Sequence, residues 1–318
     1  MLEFEVQNKK DTRSGFGDAL TELGKENPNV VALCADLTGS LKMDAFAKEF
    51  PERFFQTGIA EANMIGMAAG LATAGKIPFT GTFANFSTSR VLDQLRQSVS
   101  YSNKNVKVCA SHAGLTLGED GATHQTMEDI GVTKALPHFT VINPCDYNQT
   151  KAATKAIANF VGPVYLRFGR PKVENFTDVN QKFEIGKAWK IHDGSDVTII
   201  ATGHMVWKAI QAAKELEKNN ISVDLINIHT IKPLDQKSIL ESVKKTKCVV
   251  VAEEHLMNNG LGDSISQLTS RNFPVAIEYI AVDDQFGESG TPEELLDKYG
   301  LNVENIIKAA EKVIKRKL

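Results

Sequence analysis

The chain has 318 residues, 42% of them hydrophobic, with 36 Lys and Arg against 39 Asp and Glu for a net charge of -3. That length supports about two domains with real cores, and the balanced charge excludes the global basic field of a nucleic-acid binder. No apolar run reaches the roughly 18 residues of a membrane helix and MLEFEVQNKKDTR lacks a leader's apolar stretch, so a cytoplasmic location is expected.

Taken in order, NVVALCA (29–35), FFQTGI (54–59), IPFTGTF (77–83), VKVCASH (106–112), FTVINP (139–144) and VYLRFG (164–169) read as short buried strands. Helix-like segments lie between them: AFAKEF, EANMIGMAAGLATAG, STSRVLDQLRQSVSYS, HQTMEDIGVTKAL and YNQTKAATKAIANF. Strands alternating with helices of this length predict an α/β domain with a doubly wound parallel sheet. GRPKVENFTDVNQKFEIGKAW is polar and without period, as suits a connection. A second alternating series then runs through DVTIIATG, MVWKAIQAAKELEKNN, SVDLINIH, KSILESVKKTK, CVVVAEE, GDSISQLTSR and AIEYIAV. The expected division is therefore 1–172, a linker at 173–189, and a smaller α/β domain at 190–318. Cys34, Cys109, Cys145 and Cys248 are widely spaced with no C-x-x-C pair, and read as reduced core residues.

Two phosphate signatures fail. No G-x-x-x-x-G-K-[ST] occurs, and GFGDAL puts Leu20 where a dinucleotide fingerprint needs its third glycine. Attention passes to Glu61, a lone acid in the first turn of a helix whose Met64, Met67, Ala68 and Leu71 share a face. A carboxylate there either complements the helix dipole or serves a site. Phe83 and Phe86 in GTFANF stand at the end of a strand, where open parallel sheets bind ligands, although core packing would use them equally well. SHAGLTLGEDGATHQTMED (111–129) combines His112, Asp120 and His124 with three glycines in a loop long for its class, which points to function. Zinc is not expected, because no third nitrogen or sulfur ligand lies at a usual spacing from the two histidines.

GIAEANMIGMAAGLA, GTFANF, GEDGATHQ and ADLTGS (35–40), in register, resemble the pyrimidine-binding domain of transketolases. TIIATGHMVWKAI and IHTIKPLD resemble the C-terminal domain shared by transketolases, deoxyxylulose phosphate synthases and the beta subunits of 2-oxo acid dehydrogenases. The resemblance covers essentially the whole chain. It implies thiamine diphosphate as cofactor, with Glu61 hydrogen-bonded to N1' of its aminopyrimidine, so that the 4'-amino group can take the C2 proton and leave a carbon nucleophile. Phe83 and Phe86 would pack around that ring, Ser89 stands where many transketolases carry a third aromatic, and Asp36 would lie near the thiazolium. Asp120 and His124 would act at the sugar's hydroxyls and reacting carbons. Arg13, Ser40, His112 and Arg167 match positions that hold the sugar phosphate, with Arg170 a weaker candidate; an arginine at a domain junction can equally be an interdomain ion pair.

The G-D-G stretch through which these enzymes anchor the diphosphate and its Mg2+ or Ca2+ does not occur in the chain. The expectation is one half of a split transketolase of the pentose phosphate pathway. It would work in a heterotetramer with an N-terminal subunit that supplies the metal ligands, and xylulose 5-phosphate with ribose 5-phosphate are the default sugars. The competing readings are the beta subunit of a 2-oxo acid dehydrogenase and a non-catalytic binding subunit.

Overall fold

The structure, a computed structural model, describes residues 4–317. Two sheets carry it. The first has seven strands in the order Thr230–Lys232, Thr140–Ile142, Val164–Arg167, Lys107–Ser111, Ile77–Phe83, Val30–Cys34 and Phe54–Gln56. Its pairings are parallel except at Thr230–Lys232, an edge strand that comes from the second half of the chain and runs antiparallel to Thr140–Ile142. The second sheet orders Ala276–Val282, Cys248–Leu256, Val197–Ala201, Val223–Asn227 and Trp189–His192, the last of these antiparallel. Helices pack against both sheets, which makes each unit α/β as the alternating pattern predicts. Val30–Cys34, Lys107–Ser111, Val197–Ala201 and Val223–Asn227 are buried along their whole length, which is why they read as continuous apolar runs rather than alternating ones. All four cysteines are free and buried. Among the described residues no helix is long and apolar enough to cross a membrane.

The departures from the sequence reading have local causes. Helix Thr12–Glu26, which the apolar pattern does not announce, is capped by Asp11 accepting from the Ser14 amide at 3.0 Å. Its glycines mask it: a Cβ on Gly15 would lie 2.4 Å from the Tyr147 carbonyl oxygen and one on Gly17 2.1 Å from that of Lys42. They weaken helix propensity but permit close packing, Gly15 against helix Tyr147–Ala158 and Gly17 against the backbone at Lys42. The expected helix through 87–102 is broken into short turns at Ala84–Thr88, Ser89–Val91 and Leu92–Gln94, then a π-helical stretch Leu95–Tyr101. Of the segment expected as helix from His124, only Asp129–Ala135 is helical, leaving His124 in the loop. The polar connection begins as strand Lys172–Asn175, paired antiparallel with Asn8–Asp11. Buried Asp146 then fixes the chain by accepting from the amides of Phe176 at 2.9 Å and Thr177 at 2.8 Å.

Candidate active site at the sheet edge

Most of the expected site residues collect at the C-terminal edge of the first sheet, because they follow its parallel strands, while Arg13 comes from helix Thr12–Glu26. Asp36 follows Val30–Cys34, Phe83 ends Ile77–Phe83, His112 follows Lys107–Ser111, and Arg170 follows Val164–Arg167. Asp36 and His112 both hold φ at 58°, the left-handed region that non-glycine residues occupy at a cost. A rigid sheet edge therefore presents strained turns, as a ligand site requires.

Two clusters emerge. In the first, Glu61 opens helix Glu61–Thr73 and is only 3% exposed. Its Oε1 accepts from Arg90 Nη1 at 2.8 Å, and the Arg90 guanidinium lies over the Phe86 ring at 4.0 Å. Phe86 stacks on Phe83 with centroids 5.8 Å apart and meets His124 edge-on at 5.5 Å. His124 Nδ1 lies 3.0 Å from Thr123 Oγ1, which leaves Nε2 as its outward nitrogen. Asp120 is exposed on the same loop, Ser89 is exposed at the start of a turn, and Asp36 is exposed with its amide donating to Gln56 Oε1 at 2.7 Å. Arg90 is the residue the sequence reading missed. It stands four positions after Phe86, the spacing that brings a cation onto an aromatic face along one side of a helix.

The second cluster gathers two cations and a histidine. Arg13 Nη1 donates to the Ser40 carbonyl at 3.0 Å, and its Nε is buried without a hydrogen-bond partner, 3.5 Å from Asp11. Arg170 donates from Nη1 to the Leu117 carbonyl at 2.6 Å and pairs with exposed Glu119. His112 stacks on Phe83 at 3.9 Å and places Nδ1 2.8 Å from Ser111 Oγ. Burial, then the charges of Arg13 and Arg170, hold its pKa down to about 3. His112 is thus neutral and contributes hydrogen bonds, while the two arginines contribute the charge.

Arg167 is not brought to this cluster, which corrects the expectation for it. Its Nε donates to Asp129 Oδ2 at 2.7 Å and its Nη2 to the Glu254 carbonyl at 2.9 Å, with the side chain 4% exposed. Its guanidinium is held by a buried carboxylate inside a domain junction, and Arg170, three residues on, is the arginine that stands near His112. Among the described residues no group of three or more His, Cys, Asp or Glu comes together to hold a metal ion.

Within this chain the Glu61 helix is buried on one side only. Met64, Ile65, Ala68 and Ala69 are buried, whereas Ala62, Asn63, Gly66 and Gly70 are exposed and a Cβ on either glycine would meet nothing within 4 Å. Ile59 at 77% and Met67 at 36% exposure border that face.

Family comparisons agree with this geometry. The family described as "Transketolase, pyrimidine binding domain" matches residues 8–175 and "Transketolase, C-terminal domain" matches 186–306. A putative transketolase C-terminal section of Methanocaldococcus jannaschii is 45% identical over 311 residues, 96% of this chain and 97% of that protein. A 6-deoxy-6-sulfo-D-fructose transketolase subunit of Clostridium sp. is 41% identical over 99% of this chain and 98% of its own. A solved split gene transketolase, described as an inactive beta4 tetramer, is 42% identical with a TM-score of 0.91, covering 98% of this chain and 100% of that one.

Proposed function

This chain belongs to the transketolase family, and on that premise we propose that it is one subunit of a split transketolase moving a two-carbon ketol unit from an anion-tailed ketose to an aldose phosphate. The observation that carries the reading is the pair of clusters at one sheet edge: a buried carboxylate beside an aromatic face, and an anion cradle that shares Phe83 with it.

The first cluster fits the aminopyrimidine of thiamine diphosphate. Arg90 supports the fit: a planar cationic N–H donor satisfies Glu61 at 2.8 Å and the Phe86 face at 4.0 Å together. Bound there, the cofactor supplies a carbon nucleophile able to cleave the donor's carbon–carbon bond. Glu61 accepts a hydrogen bond from the ring nitrogen and stabilises its protonated form, more strongly because the carboxylate is dry. Phe83 and Phe86 would pack around the ring, and Asp36 would lie on the thiazolium side. The 112–124 loop presents Asp120 to the sugar's hydroxyls and His124 Nε2 to protons moving near the reacting carbons. Arg13, Arg170, Ser40 and neutral His112 hold the anionic tail; planar guanidinium forks suit tetrahedral oxyanions, whether phosphate or sulfonate. The relative acting on 6-deoxy-6-sulfo-D-fructose supports an anionic tail rather than a fixed choice of phosphate.

The diphosphate and its Mg2+ or Ca2+ are assigned to an N-terminal partner subunit. Relatives named as a section and a subunit support this, and so does the bare face of the Glu61 helix, where glycines let a second backbone approach closely. The domain division at 172 and 190 belongs to the same proposal. The test is a coupled assay of this chain with an N-terminal subunit, cofactor and divalent cation, over a panel of ketose phosphates and sulfonates. Ketol transfer from at least one anion-tailed ketose is expected. Oxidative decarboxylation of a 2-oxo acid instead, or no transfer from any ketose, overturns the reading.

A further inference from the structure

The anion cluster lies on the first domain, yet the second domain reaches its underside. Glu254, in strand Cys248–Leu256, sends its buried carboxylate across the junction, where Oε1 accepts from the Thr116 amide at 2.7 Å. The same oxygen fills the space beside Gly114: a Cβ there would fall 2.2 Å from it, and Gly114 holds φ at 80°. Gly114 is two residues beyond His112. His204, its side chain 8% exposed, fills the equivalent space beside Gly169, where a Cβ would lie 2.1 Å from its Cε1, and Gly169 immediately precedes Arg170. Glu254 Oε2 and His204 Nδ1 are 3.8 Å apart, so the two side chains form one wedge. Burial holds the His204 pKa down to about 4, which makes this a packed polar contact and not an ion pair. The second domain grips the far end of the loop as well. Gln125 Nε2 donates to the Glu288 carbonyl at 3.0 Å, and Gly121 packs against Ser289.

We propose that Glu254 and His204 are positioning residues of the second domain that set the separation of His112 and Arg170, and so tune affinity for the anionic tail of the substrate. Neither touches that tail. They hold the two turns that carry His112 and Arg170, which do, and a buried acceptor matched to a single amide leaves the loop little freedom. The inference rests on the reading of Arg13, His112 and Arg170 as the anion cradle.

Because that cradle lies wholly on this chain, it can be tested on the full-length chain alone. Inorganic phosphate titrated into wild-type protein, followed through the His112 imidazole resonances, is expected to saturate. Glu254→Ala is expected to weaken phosphate at least tenfold. Glu254→Gln keeps the length and the carbonyl acceptor and is expected to stay within threefold of wild type. Glu254→Asp keeps the charge but withdraws the oxygen by one methylene, and is expected to resemble the alanine variant. In the complex with the N-terminal subunit, KM for the anion-tailed donor should rise in Glu254→Asp while KM for an unphosphorylated ketol donor and kcat hold. General damage to the fold would move both donors together. Wild-type phosphate affinity in folded Glu254→Ala and Glu254→Asp overturns the proposal and leaves the cradle standing. An order in which Asp is tolerated and Gln is not also overturns it, since charge rather than reach would then matter. Wild-type protein that binds no phosphate removes the cradle, and this inference with it.

Discussion

Arg167 ends strand Val164–Arg167 and Arg170 follows it three residues on, yet the two belong to regions with opposite physical habits. Arg167 lies in a dry junction between domains, where Asp129 accepts from its Nε at 2.7 Å and from the Tyr165 hydroxyl at 2.6 Å. Arg170 lies on the open edge, with a fork only partly engaged by Leu117 and Glu119. The junction satisfies its own charges within this chain. The edge leaves a guanidinium beside a neutral histidine, an acid answered by a movable arginine, and a bare helix face. On the proposed reading the first region serves stability and the second function, and Glu254 reaches from one to the other.

The widest expected gap between them concerns Glu61. Glu61→Gln should cost about 10² to 10⁴ in turnover of the reconstituted complex while leaving assembly intact, as sedimentation of the mixed subunits would show. The same kind of cut in the junction should do the reverse. Asp129→Ala strands the Arg167 charge in a dry site and should cost about 3–5 kcal/mol in urea denaturation. Replacing both partners with apolar side chains should restore much of that loss.

Acid should also find the junction first. Burial holds His204, His229 and His255 down to about 4 and His112 to about 3, so the unfolded chain takes up their protons below its ordinary value of 6.5 while the folded chain does not. Their contribution is present above pH 6.5 and is lost as pH falls toward 4. Burial raises Glu253 to about 7 and also lifts Glu254, and these two work in the other direction, being most favourable at low pH. Four histidines outweigh two carboxyls, so stability should decline from pH 6.5 to 4.5 in thermal melts. A flat or rising curve would contradict the buried neutral imidazoles.

The smallest effect is expected at Arg90. With its side chain 48% exposed, the pair with Glu61 is worth at most about 1 kcal/mol in stability, so Arg90→Met should barely move the melting temperature. It should tighten cofactor binding by up to about fivefold, because the ring no longer displaces a guanidinium. Weaker binding would mean that Arg90 supports the ring instead of standing in for it.

The fold was legible because fully buried parallel strands announce themselves, as VVALC and VTIIA do. Helix Thr12–Glu26 was not, since Gly15, Gly17 and Gly24 are there for the backbones and rings pressed against them, a cause invisible along one chain. Glu61, Phe83, Phe86, His112 and His124 could be gathered from motif order, and the structure brings them together. The choice between Arg167 and Arg170 could not, because it depends on Asp129, remote in sequence and buried beneath the strand. Nor could the second domain's hold on the 112–124 loop, which the contacts of Glu254 and Ser289 reveal.

The central claim is that this chain supplies the aromatic and acidic half of a cofactor site completed by another subunit. Calorimetric titration of thiamine diphosphate with a divalent cation into this chain, into the N-terminal subunit, and into their equimolar mixture tests it most directly. Tight, stoichiometric binding confined to the mixture, and weakened there by Glu61→Gln, is the predicted result; equally tight binding to either chain alone, or binding indifferent to Glu61, would contradict it.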